Sequence, residues 1–160
     1  KVARILGLGY PGGPAIAVEA AKIGGGRVSA QLPRPMFRQK NYDFSFSWLK
    51  TAVLYKVKTG NYDKIEMCRE VQQAVIDVLI RKTIKAAKDF KVKSIKLGGG
   101  VAANDELRKQ FKAACSTLHI EHLVPPVNLC TDNAAMVAAT AYFHRDKRVK
   151  NLEAQANLRI

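Results

Sequence analysis

The sequence predicts an α/β domain, because its second half alternates strand-like and helical segments. Residues 92–97 and 118–124 are short segments with the alternating or continuous apolar character of strands. Glycines follow the first of these segments and a proline pair follows the second, and each break leads into a helical pattern, over residues 104–114 and 132–143. The order strand, helix, strand, helix indicates helices packed against a sheet. The tail is polar from residue 145 onward, and residues 151–160 are expected to pack weakly.

The first half of the chain is predicted to be mainly helical. The longest amphipathic pattern covers residues 65–90, where apolar side chains recur at helical spacing. Shorter helical patterns cover residues 1–6, 14–23 and 47–58, and a glycine run is expected to end the second of them. The alternation in residues 44–47, Phe-Ser-Phe-Ser, predicts a half-buried strand. No capping residue precedes the first helical pattern, which indicates a piece of a longer protein.

Composition narrows the class of protein. The 160 residues and the hydrophobic fraction of 48% fit one globular domain of ordinary size. No apolar run reaches the roughly 18 residues that a membrane helix needs, and no signal peptide is visible. The three cysteines are widely spaced and form no CxxC pair. We therefore expect a cytoplasmic protein without a disulfide framework.

Net charge adds a constraint on possible partners. Lysine and arginine total 27 against 13 acidic residues, which gives a net charge of +14. The excess is concentrated early, since residues 1–60 hold ten basic and two acidic side chains. Such a surface attracts polyanions through counterion release. RNA, DNA, a nucleotide or an anionic membrane would each fit this charge, and so would a charge that serves only solubility.

A glycine turn between a predicted strand and the following helix is the leading candidate site. The segment 97–104 reads Leu-Gly-Gly-Gly-Val-Ala-Ala-Asn. Gly99 and Gly100 allow a backbone to approach a ligand, a helix amino terminus attracts anions, and Asn104 can both donate and accept hydrogen bonds. The spacing matches neither a P-loop nor a GxGxxG motif. The alternative is a tight connection in which Asn104 only caps the helix.

Two further turns are candidate sites. Asp132 is either the amino-terminal cap of the last predicted helix or a ligand for a hard metal ion. Gly13 lies in the turn 10–14, Tyr-Pro-Gly-Gly-Pro, which leads into the second predicted helix, so the same argument for anion binding applies. A plain turn between helices is the alternative there.

Other polar and aromatic side chains have simpler interpretations. Phe44 and Phe46 could stack on nucleobases, but a buried strand accounts for them more simply. Lys50 could contact a phosphate or be solvated. His119 and His122 would point to opposite faces of a strand, so we interpret them as surface or edge residues rather than zinc ligands. The cysteines are interpreted as inert, buried residues.

Four segments, taken in order, resemble one protein family. They are residues 10–14, residues 44–51 with Phe-Ser-Phe-Ser and Leu-Lys-Thr, residues 99–108 with Gly-Gly-Val-Ala-Ala-Asn and Leu-Arg, and residues 130–136 with Cys-Thr-Asp-Asn-Ala-Ala-Met. These segments are similar to the motifs of the bacterial tRNA threonylcarbamoyladenosine transferase family, formerly called O-sialoglycoprotein endopeptidase or glycoprotease. The resemblance spans nearly the whole chain.

The resemblance implies a fold and a reaction. The fold would be the ASKHA fold of actin, Hsp70 and sugar kinases, whose ribonuclease H-like lobes carry a mixed sheet with flanking helices. Residues 1–160 would form the C-terminal part of such a two-lobe protein, without its N-terminal lobe. The reaction would be an acyl transfer in tRNA modification. It moves threonylcarbamoyl from threonylcarbamoyl-adenylate to the adenosine beside the anticodon.

The resemblance also implies roles for individual residues. Gly13 and Asn104 would contact the adenylate, and Gly99 and Gly100 would let the backbone approach it. Asp132 would be a ligand of a bound divalent metal, iron or zinc. The two histidine ligands of the family lie in its first lobe and are missing from this chain, and no catalytic residue is assigned. We therefore expect weak metal binding and no transfer by this chain alone.

Partners and alternatives complete the expectations. The resemblance implies tRNA, the adenylate, a paralogous ASKHA subunit and a small ATPase as partners, and no membrane. Trp48 stands where the family has glycine, so the local backbone geometry of the family is not assured at this position. Two other functions stay open at this point: another ASKHA-type ATPase or kinase, and a basic module that binds tRNA or a protein without catalysis.

Overall fold

A computed structural model describes residues 1–22, 31–60 and 62–147 of the chain. The α-helices of this described part are α1 (Val2–Ile5), α2 (Gly12–Ala20), α3 (Ser47–Lys58), α4 (Lys64–Asp89), α5 (Asp105–Thr117) and α6 (Ala134–Phe143). The strands are β1 (Ser94–Lys96) and β2 (Glu121–Leu123), and 3-10 helices cover Gly100–Ala103 and Val127–Leu129. The glycine run predicted to end α2 and the tail beyond residue 147 lie outside the described residues.

Helix α4 organises the described part of the chain. Its 26 residues correspond to about 39 Å of helix. It begins where Asp63 accepts a hydrogen bond from the backbone N–H of Glu66 at 2.8 Å, a standard amino-terminal cap. One apolar cluster contains its first half with α2 and α3, around Met67 and Val71. A second cluster joins Ile76 to β1 and α5.

The described sheet has two strands. β1 and β2 are parallel, with Ile95 opposite His122 in the register, and α5 lies between them in the chain. Parallel neighbours need such a crossover connection. The predicted α/β class is therefore confirmed. The pairing within the described residues is parallel, and these two strands do not test the predicted mixed sheet.

Both strands are shorter than predicted, for a local reason. The residues before β2 complete the end of α5 instead of pairing. His119 has a left-handed φ of 53°, and the backbone N–H of Ile120 donates to the carbonyl of Cys115 at 3.1 Å. The strand-like sequence pattern before β2 therefore includes residues whose backbone groups already bond to α5.

The predicted strand at residues 44–47 is wrong. Residues 42–46 have no regular secondary structure, and α3 begins directly at Ser47. Phe44 is 47% exposed, whereas Phe46 packs against the first apolar cluster. Only Phe46 packs inward, so the alternating sequence pattern is present here without a partner strand. Trp48 adopts helical backbone in α3 and stays exposed, so the loss of the family glycine does not interrupt that helix.

Polar groups on α4 hold the loop that precedes α3. The side chain of Glu70 is buried and accepts a hydrogen bond from the backbone N–H of Leu32 at 3.0 Å. Arg34 forms ion pairs with Glu70 and with Asp77. Further along the helix, the buried ammonium of Lys82 donates to the carbonyl and the side-chain oxygen of Asn41. Buried charges are tolerated when they are paired in this way.

Among the described helices, none combines the length and apolar character required to cross a bilayer.

A histidine beneath α5 makes stability depend on pH. His122 stacks on Phe111 with ring centroids 5.6 Å apart, and its Nε2 atom is buried without a hydrogen-bond partner in the described part. Burial lowers the pKa of His122 below its ordinary 6.5, and Lys112 and Arg108 lower it further. His122 is thus half-buried against a helix rather than a plain surface residue.

We expect the free energy of unfolding to fall as pH drops below about 6.5, because the unfolded chain then binds a proton that the folded chain resists. Urea unfolding from about pH 7.5 to about pH 5.5 measures this effect. His122→Phe should flatten the profile and His119→Asn, at an exposed histidine, should not. An unchanged slope in His122→Phe would contradict this assignment.

Candidate functional site

A cavity of about 1030 Å³ separates the start of α2 from the loop before α5. We call it the glycine-loop cavity. Gly13 lines it from α2, Gly100 and Asn104 line it from the other side, and Gln72 of α4 lies between them in the lining. Thr131 also lines the cavity. The fold therefore brings together four segments that are far apart in the sequence.

Glycine is required at the turn that shapes this cavity. Gly99 has φ 81°, a left-handed conformation that other residues rarely adopt, and it precedes the 3-10 helix that begins at Gly100. Gly99 itself does not line the cavity. A Cβ on Gly100 would lie 3.8 Å from Cγ2 of Thr131, so the side chain of Thr131 is a close neighbour of Gly100. A Cβ on Gly13 would meet no atom within 4 Å among the described residues, which leaves space for a ligand there.

Asn104 caps helix α5. Its Oδ1 accepts a hydrogen bond from the backbone N–H of Leu107 at 2.9 Å, and its Nδ2 donates to Oε1 of Gln72 at 2.8 Å. Asn104 is therefore the amino-terminal cap of α5. A primary amide has two N–H donors, so one remains for a ligand in the cavity that Asn104 also lines.

Asp132 does not cap α6, contrary to one of its two predicted roles. Asn133 is the cap: its Oδ1 accepts from the backbone N–H of Met136 at 3.0 Å, and its Nδ2 donates to the carbonyl of Thr131 at 2.9 Å. Two adjacent residues had suitable side chains, and the extended backbone at Asn133 decided between them. The carboxylate of Asp132 is exposed and makes no hydrogen bond or ion pair with any described residue.

The residues present do not form a metal site by themselves. No group of three or more His, Cys, Asp and Glu side chains that could hold an ion occurs in residues 1–22, 31–60 and 62–147. Asp132 does not line the glycine-loop cavity; it offers one exposed carboxylate directly after Thr131, which does. A single carboxylate does not hold a metal tightly, so other ligands would have to come from elsewhere.

Arg108 joins the two loops that border the cavity. Its guanidinium donates to the carbonyl of Ala102, to the carbonyl of Pro125 at 2.7 Å and to Sγ of buried Cys130 at 3.0 Å. The planar, multiple donors of arginine suit three acceptors at once. Sequence reasoning noted Arg108 only as part of a motif. The sequence feature that could have indicated its role is an arginine in the first turns of a helix that follows a glycine loop.

Helix α6 exposes its apolar residues. It has the sequence Ala-Ala-Met-Val-Ala-Ala-Thr-Ala-Tyr-Phe, and none of its residues is buried by the described part of the chain. The exposed fractions reach 63% at Val137 and 79% at Phe143. Contiguous apolar surface of this kind marks a contact face in a soluble protein.

Comparisons with known proteins agree with the motifs. Residues 1–139 match the family described as tRNA N6-adenosine threonylcarbamoyltransferase. A relative of that name from Thermosipho africanus is 47% identical over 166 aligned residues, which cover 100% of this chain and 50% of the relative. A second, from Persephonella marina, is 50% identical and is covered over 41% of its length, and a third, from Desulfotalea psychrophila, is 47% identical and covered over 43%. The chain spans about half the length of the curated relatives it matches. On this match, the chain belongs to the tRNA N6-adenosine threonylcarbamoyltransferase family.

Proposed function

We propose that this chain supplies one wall of the active site of a tRNA-modifying threonylcarbamoyl transferase. In that reaction, the N6 amine of the adenosine beside the tRNA anticodon attacks the carbamoyl carbon of threonylcarbamoyl-adenylate. The bond from that carbon to the phosphate oxygen breaks, AMP leaves, and the amine loses a proton. The observation that carries the proposal is that Gly13, Gly100 and Asn104 share one cavity.

The glycine-loop cavity has groups suited to the adenylate. The backbone N–H of Gly13, which lines the cavity, belongs to the first turn of α2, where no helical carbonyl is available to it. It would donate to a phosphate oxygen, while the remaining amide N–H of Asn104 donates to the nucleoside. Arg69 and Lys109 are the cations of the lining, and Asp105 and Glu106 balance their charge. The chain would thereby hold and orient the leaving nucleotide.

The opposite wall would come from an N-terminal lobe that its relatives have. In an ASKHA protein two lobes enclose the nucleotide, and this chain would be the later one. The described residues leave the apolar surface of α6 exposed, which supports this arrangement, since such a surface favours a covering partner and the relatives are about twice as long. We propose that α6 packs against that lobe. Asp132, which directly follows the cavity-lining Thr131, would contribute one ligand to an iron or zinc ion completed by the same lobe. In the cell, the paralogous subunit and the small ATPase of this family would assemble with the complete protein.

A chimera tests the proposal. The N-terminal half of the Thermosipho africanus relative is fused ahead of residues 1–160, and transfer from threonylcarbamoyl-adenylate to tRNA is measured. We expect transfer by the chimera and none by either half alone. The substitution Val137→Asp on the exposed face of α6 should weaken association when the halves are mixed as separate chains. Threonylcarbamoyl transfer by the isolated chain would refute the two-wall arrangement. Phosphoryl transfer that releases no AMP would favour the kinase-like alternative.

A further inference from the structure

Gln72 lies where helix α4 meets the loop that precedes α5. It belongs to the first half of α4, it is half-buried, and its side chain bonds that of Asn104. The two residues are 32 positions apart in the sequence, so only the tertiary fold brings them together. Both line the glycine-loop cavity. The contact therefore joins a long helix to the residue that the proposed function assigns to the nucleoside.

The start of α5 determines which way the carboxamide of Asn104 faces. The backbone N–H of Leu107 can only donate, so the atom that it meets at 2.9 Å is necessarily the oxygen Oδ1 of Asn104. The Nδ2 group of the same carboxamide is on the other side and meets α4 at Gln72. The helix cap therefore dictates that Asn104 presents N–H donors toward α4.

The same reasoning determines the orientation of the Gln72 carboxamide. The Nδ2 group of Asn104 can only donate, so the atom of Gln72 that it meets at 2.8 Å is necessarily the oxygen Oε1. One of the two N–H groups of Asn104 is held by this bond. Because a carboxamide is planar, the direction of its second N–H is then fixed as well. A donor that is held in place before a ligand arrives loses less conformational entropy when the ligand binds.

Without Gln72, the carboxamide of Asn104 would be held at one end only. Within the described part of the chain, the side chain of Asn104 bonds to Leu107 through Oδ1 and to Gln72 through Nδ2. The cap bond to Leu107 alone would let the carboxamide pivot about its oxygen, and the second N–H would then sweep over a range of directions. A misdirected donor weakens a hydrogen bond, because the bond depends steeply on its angle.

We propose that Gln72 is a positioning residue for the nucleotide of the adenylate, because it holds the carboxamide of Asn104 with the second N–H directed at the nucleoside. This inference rests on the proposed function, in which Asn104 bonds the nucleoside. Gln72 acts through Asn104 and not by its own contact with the nucleotide. The nucleoside does not react, so the interaction is equal in the bound substrate and in the transition state. Loss of Gln72 should therefore raise KM for the adenylate and leave kcat nearly unchanged.

Nitrogen-15 NMR of the 160-residue chain tests the contact itself. The two Nδ2 proton resonances of Asn104 are identified by their loss in Asn104→Ser, which keeps a good helix cap. Gln72→Met has a similar length but no amide oxygen, so it should shift these resonances and speed exchange of the Nδ2 protons with water. Gln72→Glu keeps an acceptor oxygen and should preserve both properties. Unchanged Asn104 resonances in Gln72→Met would overturn the proposal.

AMP affinity of the chimera tests what the contact does. Gln72→Met should weaken AMP binding about tenfold, and Gln72→Glu should restore it to within about threefold of the parent, since the effect is that of one hydrogen bond. In an Asn104→Ser background, Gln72→Met should have no further effect, because no carboxamide remains to be held. A loss that persisted in that background, or in Gln72→Glu, would make Gln72 a direct ligand of the nucleotide and would overturn the positioning role.

Lys82→Met is the matched control on the same helix. It removes a buried hydrogen-bonding side chain from α4 outside the glycine-loop cavity, so it should lower the urea midpoint at least as far as Gln72→Met does. AMP affinity and KM for the adenylate should stay at the parent values. Equal losses of AMP affinity in Gln72→Met and Lys82→Met would show that both act through stability alone, and the proposal would fail while the adenylate site stood. A parent chimera without AMP affinity would refute the adenylate site and, with it, the role of Gln72 in binding.

Discussion

Asp132→Ala in the chimera is expected to remove bound metal and to lower kcat for threonylcarbamoyl transfer by at least about a hundredfold. The carboxylate is exposed, has no described partner and follows Thr131, which lines the glycine-loop cavity. A free carboxylate beside a ligand cavity is available to a cation, and its loss leaves the ion one anionic ligand short. Metal content by elemental analysis gives a readout that does not depend on turnover.

The neighbouring residue provides the matched control for Asp132. Asn133→Ala removes the cap of α6 and should cost about 1 kcal/mol of stability. It should leave metal content and transfer close to those of the parent chimera. Asp132→Ala should show the opposite pattern, with little change in stability. If Asp132→Ala destabilised the protein and kept its metal, the aspartate would be a structural residue.

Arg108→Met is expected to have the second largest effect, by separating the loops around the glycine-loop cavity. The guanidinium bonds two carbonyls and the sulfur of Cys130, and Ala102 and Cys130 are both buried. Hydrogen bonds from a charged donor contribute roughly 1.5–3 kcal/mol each, and they are not additive, so we expect a loss of about 2–4 kcal/mol in the free energy of unfolding. Urea unfolding measures it.

Arg108 is a positioning residue in this interpretation, since it touches the loops and not the cavity. Arg108→Lys keeps the charge but cannot reach three acceptors, so it should recover only part of the stability. Lys112→Met, at an exposed cation on the same helix, should stay within about 0.5 kcal/mol of the parent. In the chimera, Arg108→Met should reduce kcat more than it raises KM for tRNA, because Arg108 positions the loops around the glycine-loop cavity. A loss of stability with an unchanged kcat would show that Arg108 stabilises the fold and does not position groups for the reaction.

Local patterns predicted the helices well. The pattern at 47–58 matches α3, and the pattern at 65–90 matches α4 to within one residue at each end. Apolar spacing that is periodic over many residues predicts a helix even where single residues depart from the pattern. Asp63, the amino-terminal cap, marks the start of α4. Short segments were less certain. Residues 44–47 alternate as a strand should, yet strand formation depends on a partner, which the sequence does not locate.

What the sequence determined by itself is the α/β class, the long helices, the excess of positive charge and the membership of the family. Each of these depends on spacing, composition or order along the chain. Only the tertiary structure decided that Asn133 and not Asp132 caps α6, that Gly13 and Asn104 border one cavity, and that Arg108 connects the loops beside it. The physical reason is that these outcomes depend on contacts between residues distant in sequence, or on a backbone conformation set by such contacts.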